Sequence, residues 1–231
     1  MIEKIKPAVV GIGVYTPTGQ PQNVIHGTGF VVGDGHYIVT NYHVISTPLD
    51  EALLQKIAVF TGTGAQSVVR IASLVTSSER DDLAILKITG TALPTVSLAS
   101  EQIVPEGTDV AFTGFPLGAV LGLYPVTHHG IISSITPIVV PVPDARQISI
   151  QMLKQMRHPY LVYQLDATAY PGNSGSAMYD VHTGKVIGII NKVFVQSTKE
   201  AVIDKPSGIT YAIPVKYLIQ LLRREHIAIN H

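Results

Sequence analysis

Apolar runs of strand length recur along the chain: "AVVGIGVY", "GTGFVVG", "HYIVT", "SVVRIASLV", "LAILKI", "DVAFTGF", "GIISSI", "YLVYQL", "KVIGIINKVFV" and "GITYAI". Gly, Pro, Asp, Asn and Ser separate them, which is the rhythm of short strands and turns in an all-β protein. Helical periodicity is missing until "IPVKYLIQLLRRE", where Val215, Leu218, Ile219 and Leu222 share one face. Pro214 suits a first helical position, so one C-terminal α-helix is expected over 214–226. The strands fall into two groups, 8–98 and 108–213, joined by the polar "LASEQIVPEGT". Halves of that size suit two small closed barrels with a shared interface, within one domain spanning 1–231. Two stretches break the rhythm. In 137–160, Ile148, Met152 and Met156 recur at helical spacing and predict a short helix; 196–208 reads as an exposed loop.

Composition narrows the function classes. With 231 residues and 46% hydrophobic content, the chain can bury a substantial core. Sixteen basic residues balance sixteen acidic ones, so nothing attracts nucleic acid or an anionic membrane electrostatically. The absence of cysteine excludes disulfides, thiolate catalysis and cysteine-ligated zinc. No apolar run is long enough for a membrane span. Glu3, Lys4 and Lys6 follow Met1 without a signal-type apolar core, which does not fix the compartment.

The chemistry concentrates in "YPGNSGSAMYD". Pro171, Gly172, Asn173 and Gly175 all favour a turn, and Ser174 lies within it. Alone, such a turn is more often a loop than a catalytic site. A nucleophilic serine needs a base, and the base needs an acid to fix its tautomer. "YIVTNYHVIS" delivers His43 directly after an apolar run, and "ERDDLAILKI" delivers Asp82 directly before another, with Asp81 as a competing acid. Each residue alone has an ordinary structural reading. Together they give the order His, Asp, Ser, each at a strand end where side chains can converge on a cleft. His128 and His129 are adjacent and would point to opposite faces of a strand, so they read as structural and not as a metal pair. The "GIG" and "GTGF" glycines lack the strand-to-helix context of nucleotide binding. No cofactor and no metal is expected.

The blocks "GTGFVV", "IVTNYHVI", "DDLAILKI", "GFPLG", "GIISSI", "LDATAYPGNSGSAM", "VIGII" and "GITYAIPV" resemble, in order, the trypsin-like serine proteases of the HtrA/DegP type. The resemblance implies two six-stranded antiparallel β-barrels of the chymotrypsin-like fold, with the active site between them and a C-terminal helix. It implies His43 as general base, Asp82 as its orienting acid and Ser174 as nucleophile. Gly172 and Ser174 N–H groups, with Asn173 between them, would form the oxyanion hole, and Thr168, Ala169 and Val193 would line the pocket for the residue before the cut. No acid falls in that pocket stretch, so small or medium aliphatic residues are expected there. "NSGSAM" departs from the family pattern by placing Ser176 where a glycine is usual. The resemblance further implies polypeptide substrates, unfolded or misfolded, and an exported, periplasmic or envelope location. No PDZ domain is expected after the final helix, and homo-oligomerisation, as in family trimers, is left open. In the family, the loop matching 137–160 relays activation to the oxyanion hole and the loop matching 196–208 orders in the active state, so a resting enzyme with an unformed oxyanion loop is a further expectation. Two rival readings remain: a non-catalytic or latent, chaperone-like peptide-binding module, and acyl transfer to a non-peptide ester.

Overall fold

A computed structural model describes residues 1–116, 123–138, 160–191 and 209–231. The expected short helix through Ile148, Met152 and Met156, the 196–208 loop and Val193 lie outside the described residues, and so does the activation relay drawn on those loops.

The first barrel is built from β1 (Val9–Tyr15), β2 (Asn23–Val32), β3 (Tyr37–Thr40), β4 (Lys56–Thr61), β5 (Val68–Ser78) and β6 (Leu83–Ile88), closed in the order β1-β2-β3-β6-β5-β4. The second is built from β7 (Asp109–Gly114), β8 (Val126–Ile138), β9 (Tyr160–Asp166), β10 (Ala177–Asp180), β11 (Val186–Asn191) and β12 (Ile209–Pro214), closed as β10-β11-β12-β9-β8-β7. All pairings between these strands are antiparallel. The two expected six-stranded barrels are therefore present, and the fold is chymotrypsin-like. Closure leaves no free sheet edge, which is how short, β-branched-rich strands of this kind avoid edge-to-edge association.

Each barrel has an apolar interior. In the first, Phe30 and Ile85 are buried on one face of the sheet and Ile38 and Leu86 on the other, and their cluster runs on through Tyr179, Ile189 and Ile213 to the C-terminal helix. Phe112, Ile132, Tyr163, Leu165 and Met178 fill the second. β5 departs from the pattern: Val68, Val69, Ile71, Leu74 and Val75 are all exposed.

Two short helices, α1 (Ile2–Ile5) and α2 (Tyr42–Ile45), precede α3 (Val215–Arg224). Helix α3 begins one residue later than the proline signal implies, because Pro214 is the last residue of β12 and keeps an extended ψ of 139° as N-cap. It ends where Glu225 leaves helical geometry and His226 takes a positive φ of 56°, a conformation that stops a right-handed helix. Val215, Leu218, Ile219 and Leu222 are buried as the periodicity requires, joined by Leu221. The buried stripe seats the helix against β11 and β12, behind the strand that carries Asn191.

Candidate active site

His43 lies on α2, a single helical turn that the apolar run before it did not announce. Its Nδ1 is 2.6 Å from Asp82 Oδ2, and its backbone N–H donates to Asp82 Oδ1 at 2.8 Å. Asp82 has a positive φ of 49°, which is uncommon for a residue with a side chain and better tolerated by Asp than by most. This twist lets the Asp82 carbonyl accept from Tyr42 N–H at 3.2 Å and Asn41 Nδ2 at 3.0 Å while the carboxylate faces His43. Strain of this kind persists only where surrounding bonds fix it. Asp81, the competing acid, turns elsewhere: its carboxylate accepts from the Ser78 hydroxyl at 2.7 Å, and its carbonyl accepts from the Tyr160 hydroxyl at 3.3 Å.

With Nδ1 held by a carboxylate, the proton of a neutral His43 belongs on Nδ1, and Nε2 is left basic. A third donor completes the arrangement. Asn191, buried at the end of β11, donates from Nδ2 to Asp82 Oδ2 at 2.7 Å. Sequence reasoning missed Asn191, since nothing in "VIGIIN" shows that the last residue of a second-barrel strand reaches a first-barrel carboxylate. Asn191→Ala is expected to lower turnover about tenfold with little change in KM, because Oδ2 loses one of two donors and His43 loses angular definition. Steady-state kinetics on a peptide ester check this.

Ser174 is 6% exposed and sits in a turn clamped by the first barrel. Thr28 of β2 makes three bonds to it or beside it: its N–H donates to Ser174 O at 2.9 Å, its hydroxyl donates to Gly172 O at 2.7 Å, and that same hydroxyl accepts from Phe115 N–H at 3.0 Å. Within the turn, Asn173 N–H donates to Tyr170 O and Ser176 N–H to Asn173 O, each at 3.0 Å. Gly172 holds a φ of 97°, which reverses the chain just before the serine. Thr28 was also missed; a small hydroxyl among the "GTGF" glycines is the only trace it leaves in the sequence.

Gly27 shows how closely the two halves meet. A methyl there would come 2.7 Å from Val44 Cγ2 and 3.0 Å from Ser174 O, so the residue after His43 and the serine turn lie on either side of one glycine. Of the residues expected to line a specificity pocket, Thr168 is exposed and Ala169 is half-buried, its N–H donating to Thr210 Oγ1 at 2.9 Å. Among the described residues, no group of three or more His, Cys, Asp or Glu could hold a metal ion.

Residues 27–189, more than half of the chain, match the model of the trypsin-like peptidase domain. The chain belongs to the trypsin-like peptidase family. It is 30% identical over 189 residues to a probable periplasmic serine endoprotease, DegP-like, of Halomonas elongata, covering 82% of this chain and 32% of that one. A relative of the same description from Hahella chejuensis is 27% identical over 210 residues, covering 91% and 37%. The chain thus spans about a third of the length of these curated relatives. Among solved structures, Deg5 superposes with a TM-score of 0.64 at 26% identity, covering 95% of this chain and 88% of that one. The serine endoprotease from Yersinia pestis gives 0.65 at 25% identity, covering 97% and 64%. Among the described residues, no helix is long and apolar enough to cross a membrane.

Proposed function

We propose that this trypsin-like domain hydrolyses peptide bonds through an acyl-enzyme, with His43, Asp82 and Ser174 as its triad. The observation that carries the reading is the 2.6 Å contact from His43 Nδ1 to Asp82 Oδ2, made beside a clamped serine turn. Ser174 Oγ attacks the scissile carbonyl as its proton passes to His43 Nε2, and the carbonyl π electrons move to oxygen. The Gly172 and Ser174 N–H groups, with Asn173 between them, receive that oxyanion, where each donor is worth roughly 3 kcal/mol. Collapse of the tetrahedral intermediate breaks the C–N bond, and His43 gives its proton to the departing amine. Water, deprotonated by His43, then cleaves the Ser174 ester and returns the free serine. Asp82 stays ionised and stabilises the His43 cation in both halves.

Small or medium aliphatic residues before the cut suit Thr168 and Ala169, neither of which can neutralise Lys or Arg, with Asp166 placed outside the pocket by the resemblance. Val193 would complete that pocket. By likeness to the periplasmic DegP-like relatives, unfolded polypeptides are the proposed substrates and an exported location the proposed setting.

The test combines casein digestion, labelling with a fluorophosphonate probe and a peptide panel varied at the residue before the cut. The expected result is digestion, a probe adduct mapped to Ser174, and Val, Ala or Leu ahead of Lys and Arg. Basic residues in front would overturn the specificity. Well-folded protein that neither digests nor labels would overturn the peptidase reading in favour of a peptide-binding module.

A further inference from the structure

Near the serine turn lies a half-buried imidazole that the proposed reaction does not use. His128, on β8 opposite Phe112 of β7, stacks on the Phe112 ring with centroids 4.9 Å apart and planes at 23°. On another side it meets the Tyr170 ring at 5.7 Å and 41°. Its Nε2 lies 3.3 Å from Asn173 Nδ2. An amide nitrogen only donates, so Nε2 must accept, and His128 must be neutral with its proton on Nδ1. Burial lowers the His128 pKa and so favours that same neutral form.

Asn173 is fully buried between the two proposed oxyanion donors. Its backbone is engaged on both sides within the turn, but its side-chain Oδ1 is buried without a partner. Among the described residues, the bond to His128 is therefore the one that fixes the Asn173 side chain. Without it a fully buried amide would be unsatisfied at both ends, and the side chain would seek partners by rotating. The peptide unit that follows shares the Asn173 Cα and presents the Ser174 N–H, so a repacking side chain would pull on that donor directly and on the Gly172 N–H one peptide further along the turn.

We propose that His128 is a positioning residue for this reaction, its neutral imidazole holding Asn173 so that the flanking backbone donors stay aimed at the oxyanion. This rests on the peptidase reading above. Tyr170 is the titratable side chain that faces His128 among the described residues; His129 points to the opposite strand face, where it lies 3.4 Å from Asp109, with His182 at 4.0 Å from the same carboxylate. Those charges are therefore set apart from the His128 contact.

Two substitutions separate the acceptor from the ring. His128→Phe keeps the stack on Phe112 and removes the acceptor, whereas His128→Gln offers an amide oxygen near the position of Nε2. In His128→Phe, kcat is expected to fall about 10- to 100-fold with KM within about twofold, because only the transition state uses the misaimed donors. Binding of a peptide aldehyde, whose hemiacetal oxygen occupies the same receptor, should weaken in step with kcat, and His128→Gln should recover most of both. Unchanged kcat in His128→Phe, equal losses in the two variants, or a loss carried by KM would overturn the proposal. A second readout does not need turnover: NMR titration of His128 in the wild type and in Asn173→Asp. A carboxylate at 173 would accept from a protonated Nε2 and should raise the His128 pKa above its wild-type value; identical titrations would show that the contact is absent and overturn the proposal. Wild-type protein that neither labels nor turns over would sink the peptidase reading itself, and the titration would still decide the contact.

Discussion

Asp82→Asn is expected to lower kcat by about 10⁴-fold at neutral pH while the protein remains folded. The geometry leaves the substituted amide no harmless orientation. Asp82 Oδ1 accepts the His43 backbone N–H at 2.8 Å, and Oδ2 accepts both His43 Nδ1 at 2.6 Å and Asn191 Nδ2 at 2.7 Å. An Asn amide has one acceptor and one donor end, so one side must face donors with a donor. If NH₂ faces the imidazole, His43 Nδ1 must become the acceptor and its proton moves to Nε2, the nitrogen that has to take the proton from Ser174. If NH₂ faces the backbone instead, the N–H that seats α2 is unpaired, at a cost of about 1 to 3 kcal/mol, and the imidazolium still lacks its counter-charge. Steady-state kinetics on a peptide ester, with circular dichroism to confirm folding, read the outcome. Turnover within tenfold of wild type would remove Asp82 from the triad. The expected loss far exceeds the tenfold for Asn191→Ala, since Asn191 orients a carboxylate that would itself still be charged.

The contrast between these two residues shows what a sequence can disclose. His43, Asp82 and the Ser174 turn each sit in a local string whose turn formers and flanking apolar run are visible without a partner strand. Strand existence was legible for the same reason: a short apolar run between glycines, prolines and small polar residues has few other uses. Asn191, Thr28 and His128 acquire their meaning only across elements. Thr28 meets Gly172 144 positions later, and Asn191 meets Asp82 across 109 positions. No periodicity encodes contacts set by how two barrels dock. His128 reads as structural in the sequence because adjacent strand residues face opposite ways. That geometry holds, and it is what delivers His128 alone to Asn173. The turn at Tyr42–Ile45 was hidden because one helical turn is too short to show a period, and its geometry comes from bonds to Asp82 as much as from its own residues.

Gly175→Ala is expected to destabilise the protein by about 3 kcal/mol, lowering Tm by about 10 °C for a chain of this size, and to slow fluorophosphonate labelling about 100-fold. Two costs add. Gly175 has a φ of 87°, a left-handed conformation that costs a side-chain-bearing residue roughly 1 to 2 kcal/mol. Its new methyl would overlap the Thr28 carbonyl oxygen and lie 2.6 Å from Thr40 Oγ1, an overpacking that costs about 1 to 3 kcal/mol more. Neither obstacle can yield freely. Thr28 O accepts the Thr40 hydroxyl at 2.7 Å in a buried bond, and Thr28 N–H holds Ser174 O at 2.9 Å, so pushing Thr28 away pulls on the serine. Gly90→Ala supplies the control: its φ is 90°, yet a methyl there meets nothing within 4 Å, leaving only the backbone cost. Thermal unfolding and labelling rates for both variants separate the effects. Equal losses in Tm would show that backbone conformation alone makes glycine necessary at 175. A larger loss confined to Gly175→Ala, with labelling slowed only there, is the result required if contact between the barrels at Thr28 sets the position of the nucleophile.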